Sequence, residues 1–222
     1  MNTDTAPMLT LSHLYGSGGS LIARGLGRRL HWTVWNKEIV RQIASQRRVD
    51  EEHVESMDER VDSFLDRMER VMGMGGFEMV DNVLPPLWLS DTELAHLTRS
   101  LIEEVAKDGH TIIVGRGGQC ILAERSQVLH VFIFAPLAAR VEQVMRVEGL
   151  TCAEAEGRIA VMDRLRAEYV RAFYHADWRD PSHYHLLIDS GMWGETGTAN
   201  LIAQALQQRS GKWGARPHAD RR

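Results

Sequence analysis

Two glycine-rich turns and a set of arginines are the residues whose types and spacing could do chemistry in this chain. The first turn, Gly16-Ser-Gly-Gly19, follows an apolar run (Met8 to Leu11) that ends at Ser12. Apolar residues then recur at Leu21, Ile22, Leu26 and Leu30, which is helical spacing. Strand, glycine turn and helix in that order let backbone N–H groups converge on an anion at the positive end of a helix. Laid against the phosphate-loop pattern G-x-x-x-x-G-K-[ST], Gly18 takes the second glycine, Gly19 the lysine, Ser20 the hydroxyl, and His13 the first glycine. The turn keeps the cradle and a hydroxyl able to face magnesium, and it lacks the point charge. Tyr15, Gly16, Ser17, Gly18, Gly19 and Ser20 are therefore the candidate phosphate-binding residues, and Ser20 the candidate Mg2+ ligand. A plain turn between a buried strand and a helix is the other reading of this stretch.

The second turn is Gly115-Arg116-Gly117-Gly118, directly after the apolar strand His110 to Val114. An arginine between glycines at a strand end can reach into a crevice, and its planar fork binds phosphate oxygens in pairs. Arg140, Arg164 and Arg166 are further candidates for spreading positive charge over a transferring group. Arg164 and Arg166 are two apart, so a helix points them about 200° apart and one of them at most faces the site. Arg171 could share the role. Asp163 reads most simply as a salt-bridge partner. The strand Thr111 to Val114 offers no metal-holding acid, and Asp189 reads as a turn cap at the end of the last strand. His183 and His185 share one face of a strand, without a third ligand at zinc spacing.

The elements that must position these residues follow from periodicity. His31 to Trp35 reads as a short strand, and Asn36 can cap the helix carrying Ile39, Val40 and Ile43. The stretch 50–72 has three-four apolar spacing, hence an amphipathic helix or helix pair. Gly73 to Gly76 and Pro85-Pro86 interrupt the pattern. Ser90 or Asp91 caps a helix through Lys107. Val128 to Phe134 is a strand of the type buried on both faces. Pro136 starts a helix, and Thr151 with Glu154 forms a capping box for a long one reaching about His175. His183 to Ile188 is the last strand, Glu195 to Gln207 the last helix. Strands alternating with helices predict an α/β domain with a mostly parallel sheet, helices on both faces and ligands at the strand carboxyl ends.

The 222 residues suffice for one domain with a real core; 44% are hydrophobic and 25% charged, ordinary for a globular protein. A formal net charge of −4 gives no sign of a nucleic-acid polymer as partner. No apolar run approaches the roughly 20 residues that span a bilayer. The opening Met1 to Pro7 is polar and acidic, unlike a signal peptide. Two cysteines, Cys120 and Cys152, lie far apart without CxxC spacing, which fits a reducing compartment. The expectation is a cytoplasmic protein without membrane contact. Residues 1–7 and 209–222 are expected to be loose; the oligomeric state is left open.

With both turns placed, the sequence resembles the cytidylate kinase-like family of phosphate-loop nucleoside monophosphate kinases. The resemblance rests on Leu11-Ser-His-Leu-Tyr-Gly-Ser-Gly-Gly19, on Ile113-Val-Gly-Arg-Gly117, and on Val131-Phe-Ile-Phe-Ala-Pro136 leading to Arg140. A further block is Asp163-Arg-Leu-Arg-Ala-Glu-Tyr169 with Asp177-Trp178 and Tyr184. It implies a three-layer fold with a five-stranded parallel sheet over about 8–208. A monophosphate-binding helical region is expected at about 37–90 and a lid at about 140–178. It implies transfer of a phosphoryl group from ATP, with Mg2+, to a nucleoside monophosphate, CMP or dCMP being the natural guess. Nucleoside mono- and triphosphates are then the partners, Arg116 and Asn36 would bind the acceptor, and Arg116, Arg140, Arg164 and Arg166 would be catalytic. A glycine at the lysine position is similar to the family's own pattern. Ser20 stands where the family often has arginine, and Asn36 and His185 where it has aspartate. A nucleotide-binding regulatory protein without turnover, or a kinase for another small acceptor, are the alternatives.

Overall fold

A computed structural model of the chain describes residues 6–35 and 88–210. The expected helices at 37–72, the Gly73 and Pro85 breaks, Asn36 and the tail beyond 210 lie outside these. The chain divides into two compact units, Met1–Asn36 with Leu101–Arg222, and Lys37–Ser100. Both glycine turns belong to the first unit.

The centre of that unit is a parallel sheet of β1 (Met8–His13), β2 (Thr33–Trp35), β3 (Thr111–Val114), β4 (Val128–Phe134) and β5 (Leu186–Asp189). The spatial order is β2-β3-β1-β4-β5. β1 is the middle strand, in register with β3 (Leu11 opposite Val114) and with β4 (His13 opposite Ile133). The chain leaves β1 toward β2 on one side and returns from β3 to β4 on the other. The carboxyl end of β1 is therefore a topological switch point, where open α/β sheets form a crevice.

The helices are α1 (Gly19–Leu30), α2 (Trp88–Asp108), α3 (Gly118–Ile121), α4 (Leu137–Glu148), α5 (Cys152–Tyr174) and α6 (Ser190–Ser210). The three central strands, β1, β3 and β4, are buried on both faces. Leu9, Leu11, Leu129, Val131 and Ile133 pack with Ile22, Ala23 and Leu26 of α1 and Ile202, Ala203 and Leu206 of α6. The opposite face carries Phe132, which meets Val170 of α5, Trp178 and Tyr184. The result is a three-layer α/β domain. Among the described residues no helix is long and apolar enough to cross a membrane.

Three boundaries differ from the sequence reading. α2 begins at Trp88, ahead of the expected cap at Ser90 or Asp91. Residues 183–185 are not strand: Pro181–His183 form a 3₁₀ turn, because the Asp180 carboxylate accepts the Ser182 amide at 2.8 Å and Pro181 supplies its fixed φ. The sheet then resumes at Leu186. α6 starts at Ser190 but breaks at Gly194 (φ 64°, ψ 177°), so its regular part begins near Glu195 as expected. The capping box at Thr151 and Glu154 is present, each side chain bonded to the other's backbone amide.

Candidate active site

The first glycine turn grows out of the sheet. The Leu14 amide extends the β1–β4 ladder to the Ile133 carbonyl, 3.0 Å, and Ser17 then folds the chain back. Its amide and hydroxyl both donate to the Leu14 carbonyl, at 3.2 and 2.8 Å. Ser190, at the start of α6, donates its hydroxyl to the Ser17 carbonyl at 2.8 Å. Ser17 is thus buried, and its polar groups shape the turn from inside. Gly18 sits at φ 74° and α1 starts at the next residue. Among the described residues, no protein acceptor takes the amides of Gly16, Gly18, Gly19 or Ser20. Amides left open at a helix start with no acid in its first turn can receive an anion.

Gly19 is a steric requirement as much as a departure from the lysine pattern. A Cβ there would lie 2.3 Å from Cγ of His13. His13 donates its Nδ1–H to the Leu14 carbonyl at 3.0 Å. Burial, with the Arg166 charge beside it, lowers its pKa to about 3, so the ring is neutral at physiological pH. Ser20 is exposed, at the first turn of α1. Glu195 borders the turn, its carboxylate 3.6 Å from where a Gly18 Cβ would stand.

The arginines separate sharply. Arg140 of α4 is buried and donates to Asp163 at 2.7 Å and to the Tyr15 carbonyl at 3.2 Å. Arg166 of α5 donates to the His13 carbonyl at 2.5 Å, and its guanidinium lies 5.4 Å from the centre of the Tyr15 ring. Burial pulls its pKa below the usual arginine value, while Asp163 and Tyr15 oppose the shift. Arg164 is not brought to the turn; it is exposed and pairs with Glu168 at 3.6 Å. Tyr15 itself donates to Glu148 at 2.5 Å, and burial followed by that bond raises its pKa to about 12.

At the second turn Gly115, Arg116 and Gly117 take φ of 70°, 58° and 68° in succession. Arg116 therefore occupies a left-handed conformation that non-glycine residues rarely hold, a strain that clusters at ligand sites. Gly117 is needed because the Tyr174 ring lies against it: a Cβ would come within 2.1 Å. The Tyr174 hydroxyl donates to the Arg116 carbonyl at 3.3 Å. Among the described residues, the Arg116 guanidinium has no hydrogen-bond or ion-pair partner.

The structure thus brings Tyr15 to Ser20, Arg140 and Arg166 together, and sets Arg116 at the end of the neighbouring strand. Asn36 lies outside the described residues. Asp189 is a turn cap, its carboxylate accepting the Gly191 amide at 2.8 Å. Sequence reasoning did not find Glu148, Tyr174 or Ser190. All three act through contacts across long stretches of sequence, which no local spacing signals.

A parallel sheet in this order, with a glycine turn running from its middle strand into a helix, is the three-layer α/β phosphate-loop fold of nucleotide kinases. The chain belongs to the cytidylate kinase-like family, whose model matches residues 8–192. It is similar to the cytidylate kinase of Methanopyrus kandleri, 25% identical over 211 residues covering 90% of this chain and 92% of that one. It is also 28% identical over 149 residues to a uronate isomerase of Corynebacterium glutamicum. That match takes in 67% of this chain, which spans only 28% of the length of that relative. An uncharacterised protein from Eubacterium ventriosum has a similar solved structure, with a TM-score of 0.67 at 19% identity, covering 91% of this chain and 99% of that one.

Proposed function

We propose that the protein transfers a phosphoryl group from ATP to a nucleoside monophosphate, with CMP or dCMP as acceptor. The observation that carries the reading is the pair of turns at the carboxyl ends of adjacent strands. One has amides at a helix start without an acceptor among the described residues, the other an arginine strained into the left-handed region whose guanidinium has no partner among those residues. Phosphoryl transfer asks for positioning and charge neutralisation more than for covalent chemistry. The amides of Gly16, Gly18, Gly19 and Ser20 hold the donor phosphates, while that of Ser17 closes the turn on the Leu14 carbonyl. Arg116 holds the acceptor phosphate bidentately, so that an acceptor oxygen is aimed at the terminal phosphorus in line with the departing ADP oxygen. Arg166, fixed against His13 and Tyr15, supplies a fixed positive charge beside the turn, in place of the lysine that Gly19 does not provide. Neutral His13 adds no competing charge.

The residues present suit Mg2+, which keeps most of its waters and needs few protein oxygens; the exposed Ser20 hydroxyl would hold it. Bound there, the ion would offset negative charge on the donor phosphates. Gly19 at the lysine position favours one competing reading, a nucleotide-binding protein without turnover.

Titration of CMP and ATP into the wild type and Arg116→Ala separates the turns. Arg116→Ala is expected to lose CMP binding by at least about a hundredfold, within the range of a lost charge-assisted bidentate contact, and to keep ATP affinity. Equal CMP affinity in both proteins overturns the assignment of the second turn.

A further inference from the structure

The first glycine turn is held from outside itself. Asp163 lies on α5, 148 residues from Tyr15, and is almost fully buried. One carboxylate oxygen accepts the Tyr15 amide at 2.8 Å, and the other accepts from Arg140 at 2.7 Å. The same Arg140 nitrogen donates to the Tyr15 carbonyl at 3.2 Å. Both backbone groups of Tyr15 are therefore locked into a closed ring of hydrogen bonds with one buried ion pair. The next residue, Gly16, rests on the Arg140 backbone, where a Cβ would lie 2.8 Å from the carbonyl oxygen.

Asp163 and Arg166 are three apart on α5 and so share a face. Asp163 takes Tyr15, and Arg166 takes the His13 carbonyl. At its far end the same helix places Tyr174 on Gly117 and on the Arg116 carbonyl. One helix thus touches both turns.

Resting on the function proposed above, we propose that Asp163 is a positioning residue that sets the Tyr15 peptide, and through it the open amides of the phosphate turn. A turn that lacks a lysine depends for phosphate affinity on where its amides point, and the amides from Gly16 onward follow the Tyr15 peptide. The Asp163 carboxylate fixes that peptide without touching the nucleotide.

The test is a matched pair that removes the buried charge in both members. Asp163→Asn/Arg140→Met keeps an oxygen able to accept the Tyr15 amide; Asp163→Ala/Arg140→Met does not. Measured by calorimetry, the asparagine pair should bind ATP at least about tenfold more tightly than the alanine pair, the scale on which small misplacements cost an active site. CMP affinity should be the same in the two. Hydrogen exchange at the Tyr15 amide, without nucleotide, should be slow in the wild type and the asparagine pair and fast in the alanine pair. Equal ATP affinity and equal exchange in the two pairs overturn the proposal. A wild type that binds no ATP overturns the nucleotide reading instead, and the exchange rates then still decide whether Asp163 holds the turn.

Discussion

Arg164 and Arg166 stand two residues apart on α5 and do opposite things. Arg166 turns inward, its guanidinium donating to the His13 carbonyl at 2.5 Å. Arg164 points to solvent and pairs with Glu168 at 3.6 Å. At 100° per residue one helix cannot offer both to the same turn, and the apolar face of α5 decides which goes in.

Substitution should therefore split the pair. Arg166→Ala is expected to lower kcat for phosphoryl transfer by at least about a hundredfold, since it removes the fixed cation beside the turn. Arg164→Ala loses an exposed ion pair of the kind that contributes little, and should leave kcat within about threefold. Steady-state kinetics on both variants check this.

Glycines in this chain divide by what surrounds them. Gly19→Ala drives a methyl to 2.3 Å from His13 and should destabilise the fold by about 1–3 kcal/mol, with loss of ATP binding. Gly157→Ala, inside α5 with nothing within 4 Å of the added methyl, should stabilise by about 0.5–1 kcal/mol through helix propensity. Thermal unfolding of the two variants should move in opposite directions.

His13 gives the fold an acid limit. Its pKa falls from 6.5 in the unfolded chain to about 3 in the folded one. Between those values the unfolded state binds the extra proton, so stability is full above about pH 6.5 and declines as pH falls toward 3. His13→Asn should flatten that decline, read as the midpoint of denaturant unfolding between pH 7 and pH 4.

Much of the fold was legible because its signals are local. The run Val128 to Phe134, apolar but for His130, matches β4 residue for residue, and Thr151 with Glu154 marks the start of α5 within one turn. The glycine turns, too, announce themselves, since positive φ restricts the residue type. Where a strong local device competed with a hydrophobic pattern the reading slipped. At 181–183 the Asp180-Pro181 turn displaced the expected start of β5. The site's internal wiring was least legible. Asp163 read as a salt-bridge residue, which it is, yet its second oxygen on the Tyr15 amide depends on packing between residues 148 apart. Arg140 looked free to meet a nucleotide, and the fold commits it to Asp163 and the Tyr15 carbonyl.

The central claim is phosphoryl transfer to a nucleoside monophosphate, and product formation tests it most directly. ADP release would be followed with ATP and Mg2+ against CMP, dCMP, UMP, AMP and GMP in turn, with binding of each measured in parallel. The expected result is ADP and the matching diphosphate in equal amounts with CMP or dCMP. ATP and CMP binding without diphosphate from any acceptor would contradict the claim and leave a nucleotide-binding protein on a kinase fold.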